Sequence, residues 1–149
     1  MPYVGRFAPT PSGPLHFGSL VTALASWLDA RYYGGTWLLR VDDLDPPRQQ
    51  AGAAERILRQ LEAFGLEWDG QPVYQSQRSA AYQAAVERLL AHGSAFYCSL
   101  SRKQLAALGD LHPGPAVAEP PGPDLAIRLA VPDRERCLQD RLQGRVCAN

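Results

Sequence analysis

Apolar positions along the chain fall into runs whose spacing alternates between strand-like and helix-like. Pro2 to Ala8 is a short apolar run broken by Pro9, Thr10, Pro11, Ser12, Gly13 and Pro14, which predicts a strand entering a tight turn. Leu20, Val21, Leu24, Trp27, Leu28 and Arg31 then recur at helical spacing, and Gly34 with Gly35 supplies the stop. Thr36 to Val41 is β-branched and aromatic enough for a second, buried strand, ended by Asp42, Asp43, Leu44, Asp45, Pro46 and Pro47. A second helix follows, with Ala54, Ile57, Leu58, Leu61 and Phe64 on one face, Arg56, Arg59 and Glu62 off it, and Gly65 closing it. Tyr82, Ala85, Val86, Leu89 and Leu90 make a third stripe that Gly93 closes. Ser101 with Gln104 is a capping-box signature for a short fourth helix ending at Gly109. The alternation predicts an α/β fold, with a parallel sheet and right-handed crossovers.

Residues 112–124 hold five prolines and two glycines, so no regular element is expected there. Leu125 to Val131 reads as one more strand. Pro132 to Asn149 shows no convincing period, and the chain has no internal repeats.

Composition narrows the class. A chain of 149 residues is one ordinary domain in size, and 46% hydrophobic with 20% charged residues describes a soluble globular protein. Basic and acidic residues balance at 15 each, so net charge points to no polyanion, though a local basic face can be cancelled elsewhere. The N-terminal residues have neither a basic nor an apolar signal region, and no apolar run reaches membrane-spanning length, so neither secretion nor a membrane is expected. Cys98, Cys137 and Cys147 are odd in number and widely spaced. That argues against a disulfide framework and for a reducing, cytoplasmic home.

The candidate chemistry sits in Gly5-Arg-Phe-Ala-Pro-Thr-Pro-Ser-Gly-Pro-Leu-His-Phe-Gly-Ser19. A strand delivers the chain into a turn, and the turn delivers it into a helix N-terminus. Gly13 and Gly18 lack a Cβ, so a ligand or a second backbone can come close. The helix start offers unpaired N–H groups and partial positive charge, which suits phosphates, and His16 stands there as a donor. The same residues also fit a plain turn with His16 as a capping or surface group.

The string Pro9 to Ser19 resembles the first signature of class I aminoacyl-tRNA synthetases. The flanking Arg6-Phe-Ala-Pro-Thr10 is similar to the glutamyl/glutaminyl branch, as is Arg40-Val-Asp-Asp-Leu-Asp45. Leu15-His-Phe-Gly-Ser-Leu20, Asp45-Pro-Pro-Arg48 and Gln75-Ser-Gln-Arg78 resemble the glutamyl-queuosine tRNA(Asp) synthetase subgroup. The likeness covers residues 5 to about 102, and Ala126-Ile-Arg-Leu129 more loosely.

This resemblance implies a Rossmann-type catalytic domain that condenses glutamate with ATP, as its Mg2+ complex, into glutamyl-adenylate. The glutamate then passes to the queuosine base of tRNA(Asp). Residues 1–110 would be the nucleotide-binding catalytic core, and residues 111–149 a proline-rich loop plus the start of the second part of that domain. By position, Arg6 would pair with the glutamate side-chain carboxylate, and Phe7, Ala8, Pro9 and Thr10 would line the amino-acid pocket. Asp42, where the family usually has Glu, would pair with the substrate ammonium. His16 would be the catalytic residue and, with Gly18 and Ser19, hold ATP phosphates. A monomer is expected.

Two departures qualify the resemblance. The subgroup usually binds a structural zinc at four positions, which fall here at Cys98, Leu100, His112 and Ala116. Cys98 and His112 are remnants of that pattern, so no metal is expected and Cys98 reads as a buried small apolar residue. The second, lysine-rich signature of the family lies beyond residue 149, so a truncated domain is expected. The alternatives are an ordinary glutamyl-tRNA synthetase fragment and an inactive fold remnant.

Overall fold

The N-terminal apolar run forms β1 (Val4–Phe7), and the buried run forms β2 (Thr36–Val41), parallel to it with Gly5 opposite Trp37 and Phe7 opposite Leu39. The structure is a computed structural model and describes residues 2–109, 112–131, 134–141 and 143–148. A two-residue strand, β3 (Val73–Tyr74), extends the parallel sheet in the order β1-β2-β3. α1 (Phe17–Tyr32) and α2 (Ala53–Ala63) make the two connections, so the alternation expected of an α/β fold is present. Side chains alternate across the sheet: Phe7, Trp37, Leu39 and Val41 are buried, whereas Val4, Arg6 and Leu38 face outward and are exposed. The chain divides into two units, residues 1–80 and 81–149. The domain boundary expected at residues 110–111 lies outside the described residues.

The core of the first unit gathers Phe7, Ala23, Ala30, Trp37, Leu39, Ile57, Leu61 and Leu66. The residues α1 buries fully are Ala23 and Ala30, while Val21, Leu24 and Leu28 of the expected stripe are about half exposed. Periodicity located that helix, and Trp27 of its stripe packs against the core, but the stripe omitted Ala23 and Ala30, the small residues that a helix lying close on a sheet needs at the contact. The Trp37 indole N–H donates to Ser26 Oγ at 3.0 Å across that contact. α2 buries Ala53, Ile57 and Leu61 at four-residue intervals. Phe64, expected on the same face, is 62% exposed: it occupies the C-cap, and Leu66 fills the core position beyond the turn. At Gly35 a Cβ would stand 2.4 Å from the Tyr3 carbonyl oxygen, so only glycine lets the chain enter β2 there.

A carboxylate completes the sheet where β3 is short. Asp69 Oδ2 accepts from the Trp37 amide at 2.7 Å and from Arg31 Nη1 at 2.9 Å, and the Asp69 amide returns a bond to the Trp37 carbonyl at 2.8 Å. The Trp37 amide, and after it Arg31, hold the Asp69 carboxyl below the usual carboxylate range.

The second unit begins within α3 (Ser79–Ala91). It contains β4 (Ala95–Cys98), which sequence reading missed, antiparallel to β5 (Ala126–Leu129). The parallel sheet therefore ends at Tyr74 and does not run on toward residue 110. α4 (Arg102–Ala107) has the expected reciprocal capping box between Ser101 and Gln104. Contrary to expectation, the proline-rich stretch forms a 3-10 turn at Gly114–Val117, with Pro115 at its second residue, where a missing N–H costs no bond within the turn. The patternless tail also folds, as a hairpin of β6 (Arg136–Asp140) and β7 (Gly144–Ala148). β7 opens on Gly144 at φ 76°, opposite Asp140, a local device that needs no long alternating run. The hairpin sets Cys137 opposite Cys147 and joins them in a disulfide, correcting the argument from the odd cysteine count; Cys98 is free and buried. Pairing depends on cross-strand proximity, which spacing along the chain did not reveal.

Candidate functional site

The loop after β1 lies at the carboxyl end of the parallel strands, the edge at which open α/β sheets bind ligands. Backbone bonds pin it from several sides. The Pro9 carbonyl accepts from the Asp42 amide at 2.9 Å, the Pro11 carbonyl from the Gln50 amide at 3.0 Å, and the Leu15 amide donates to Gln60 Oε1 at 2.8 Å. The loop is thus tied to the end of β2, to the approach to α2 and to α2 itself.

His16 is the N-cap of α1. Its Nδ1 accepts from the Ser19 amide at 3.3 Å, and its Nε2 lies 3.1 Å from Ser19 Oγ. With Nδ1 accepting, the proton of the neutral ring sits on Nε2, which donates to the serine hydroxyl. The capping reading of His16 therefore holds in this structure. The amides of Phe17 and Gly18 at the first helical turn have no intrahelical acceptor by helix geometry. A Cβ on Gly18 would lie 3.2 Å from His16 Cε1 and 3.3 Å from Nδ1, so glycine makes room for the folded-back ring.

Loop and helix start enclose a cavity of about 440 Å³. Phe7, Ala8, Pro9, Thr10, His16, Gly18 and Ser19, all marked in the sequence, line it together. Arg6 and Asp42 do not. Strand alternation sends Arg6 to the exposed face of the sheet, the side on which Arg40 also lies. Asp42 is bridged by the Arg40 fork, Nε to Oδ1 at 2.5 Å and Nη2 to Oδ2 at 2.9 Å. Sequence reading did not assign Arg48 or Thr22 to the cavity, although both line it. The Asp45-Pro-Pro-Arg48 string was the available signal. Arg48 is held to Asp45 by a bond from Nε at 2.6 Å, which keeps its guanidinium near the loop.

The acidic turn is engaged throughout. Asp43 accepts from the Ser76 amide at 2.9 Å and the Ser76 hydroxyl at 2.6 Å. Burial works to raise the Asp43 carboxyl, and the Ser76 bonds outweigh it, leaving the group below the usual carboxylate range.

In the second unit, a cleft of about 740 Å³ lies among Phe96, His112, Ile127, Arg128 and their neighbours, and none of the residues assigned to glutamate or ATP lines it. The pattern positions for a structural zinc can be tested at its edge. Cys98 Sγ is 3.3 Å from His112 Nε2, and His112 Nδ1 accepts from the Gly114 amide at 2.9 Å. That bond leaves the imidazole proton on Nε2, facing the thiol. With Leu100 and Ala116 at the other two positions, this set does not fit a four-ligand zinc site.

Residues 3–112 match the family described as tRNA synthetases class I (E and Q), catalytic domain. A glutamyl-Q tRNA(Asp) synthetase of Ectopseudomonas mendocina is 57% identical over 143 residues, covering 95% of this chain and 49% of that protein. One from Xanthomonas campestris pv. campestris is 54% identical over 147 residues, covering 98% and 49%. The chain thus spans about half the length of these curated relatives. Among solved structures, a glutamate tRNA ligase from Elizabethkingia meningosepticum in complex with its amino acid is similar at TM-score 0.81 and 28% identity, over 100% of this chain and 36% of that one.

Proposed function

We propose, for a chain that belongs to the catalytic-domain family of class I tRNA synthetases of the E and Q type, that it binds ATP and glutamate for an enzyme that glutamylates the queuosine base of tRNA(Asp). The names of its relatives support glutamate and tRNA(Asp) as substrates, the synthetase family supports ATP, and residues 1–110 would carry the core. One observation carries the reading: seven residues marked by sequence converge on a single cavity at the start of a helix behind a parallel strand. Such an arrangement suits a triphosphate, through helix-start amides, the His16 donor and the Arg48 guanidinium.

The reaction would be attack by the glutamate α-carboxylate on the α-phosphate of ATP, with pyrophosphate leaving. Placement and charge stabilisation supply most of the catalysis in such a step. Nε2–H of His16, now given to Ser19, would turn to a phosphate oxygen. Magnesium would arrive on the nucleotide phosphates, because Asp42, Asp43 and Asp45 are engaged by Arg40, Ser76 and Arg48. Arg6 would meet the glutamate side-chain carboxylate. Asp42 would meet the ammonium, since each oxygen held by Arg40 keeps a further lone pair. ATP and tRNA as substrates imply work in the cytoplasm.

The test is a dissociation of effects. Arg6→Ala should weaken glutamate binding far more than ATP binding, and His16→Ala the reverse, as measured by calorimetric titration. A charged hydrogen bond is worth about 1.5–3 kcal/mol, so each loss should be roughly ten- to a hundredfold. Equal effects of both substitutions on both ligands, in folded protein, would show that the roles are misassigned.

A further inference from the structure

The hairpin gathers on one face Glu135, Cys137, Arg145 and Cys147, all exposed. The Cα atoms of Cys137 and Cys147 are 4.1 Å apart, the close spacing of a cross-strand pair that exchanges no backbone bonds. Ligand atoms of Glu135, Cys137 and Cys147 all lie within 4.8 Å of one another. Glu135 Oε2 is 3.7 Å from Cys137 Sγ, and Arg145 Nη2 is 3.5 Å from the same sulfur. We propose that Cys137 and Cys147 are a reversible dithiol–disulfide pair whose reduced form, with Glu135, ligates a thiophilic divalent cation such as Zn2+ or Cd2+.

Exposed disulfides are the ones that exchange with external thiols. A thiolate of the glutathione class attacks one hairpin sulfur, forming a mixed disulfide and releasing the other cysteine as thiolate. A second external thiol releases the first cysteine. Two electrons thereby pass from two external thiols, which leave as their disulfide, to Cys137 and Cys147. The Arg145 guanidinium favours the thiolate at Cys137. A cation then displaces the remaining thiol protons to solvent and is held by two sulfurs and one carboxylate oxygen, a donor set that selects soft metals. Three protein ligands leave one position for water or an external ligand. The strands preorganise the pair, so binding needs only the sulfurs to part. This site is distinct from Cys98 and His112, and it does not depend on the proposed activity.

The experiment uses the full chain, oxidised or reduced with a phosphine that is then removed, and titrated with Cd2+. Thiolate-to-cadmium charge transfer in the ultraviolet is read beside equilibrium dialysis. The reduced chain should bind one Cd2+ with the band of two thiolates, and the oxidised chain none. Re-oxidation with glutathione disulfide should release the metal. Cys137→Ser and Cys147→Ser, at exposed positions that the core does not use, should abolish the band, and Glu135→Gln should weaken binding about tenfold. A band that persists in the Cys137→Ser, Cys147→Ser double variant would place the metal at Cys98 and overturn the proposal. So would a native disulfide that glutathione cannot open, or a reduced chain that binds no Cd2+.

Discussion

Replacing Gly18 with alanine separates the capping role of His16 from its proposed role at phosphates. The new Cβ would stand 3.2 Å from His16 Cε1 and 3.3 Å from Nδ1, so the exposed ring must retreat by a few tenths of an ångström. The capping bond from the Ser19 amide is already 3.3 Å long. A retreat of that size carries it to about 3.6 Å, where it no longer counts as a hydrogen bond. Losing an N-cap costs about 1 kcal/mol. Alanine in place of glycine in a helix returns about 0.8–1 kcal/mol. The two nearly cancel, so urea denaturation should register a change within about 1 kcal/mol. ATP binding has no such compensation. A displaced His16 donor and a methyl group at the helix mouth should weaken it roughly tenfold or more in calorimetry. Two results would refute this reasoning. A destabilisation beyond about 2 kcal/mol would show that the ring cannot give way and that overpacking dominates. Unchanged ATP affinity in a stable variant would show that His16 and Gly18 do not face the phosphates.

Two further outcomes follow from the fold. Gly35→Ala should destabilise the first unit by about 1–3 kcal/mol, measured by urea denaturation, because its Cβ meets the Tyr3 carbonyl that the Thr36 amide holds in place; an unchanged midpoint would mean that the entry to β2 can shift. Asp69 has a folded-state carboxyl below its unfolded value, so its contribution is present above the usual carboxylate range and is lost as pH falls through the lowered value. The denaturation midpoint should therefore begin to drop as pH falls to about 4, the ordinary aspartate range, and go on dropping below it, and Asp69→Asn should flatten that part of the profile; an identical pH dependence in the variant would assign the acid sensitivity to other groups.

How much of this was legible in sequence depends on whether the signal was local. The stretch from Phe7 to Ser19 was readable because proline, glycine and a helix start act on their own neighbours, and seven residues marked in it line one cavity. The Ser101 and Gln104 cap was readable for the same reason. The failures involve partners far along the chain. Which face of α1 is buried depends on β1 and β2, whose close approach selects Ala23 and Ala30 over Leu24 and Leu28. β3 has two residues because Asp69 already serves Trp37, and no period of two residues could announce it. β4 is a four-residue strand between Gly93 and the capping box, recognisable only once β5 pairs with it. The disulfide waited on the hairpin register that sets Cys137 against Cys147. The candidate site divides along the same line. Its loop residues follow from the chain's own turn chemistry. Arg48 enters through the Asp45 bond and the packing of the segment after β2, a tertiary arrangement that the Asp-Pro-Pro-Arg string marks without explaining. Arg6 and Asp42 sit outside the cavity because alternation and the Arg40 fork turn them elsewhere. In the proposed reaction their task is therefore to hold the amino acid from the sheet side, beside Phe7 to Thr10, while His16, Gly18 and Ser19 at the helix start hold the nucleotide, and the opposed effects expected of Arg6→Ala and His16→Ala express that division.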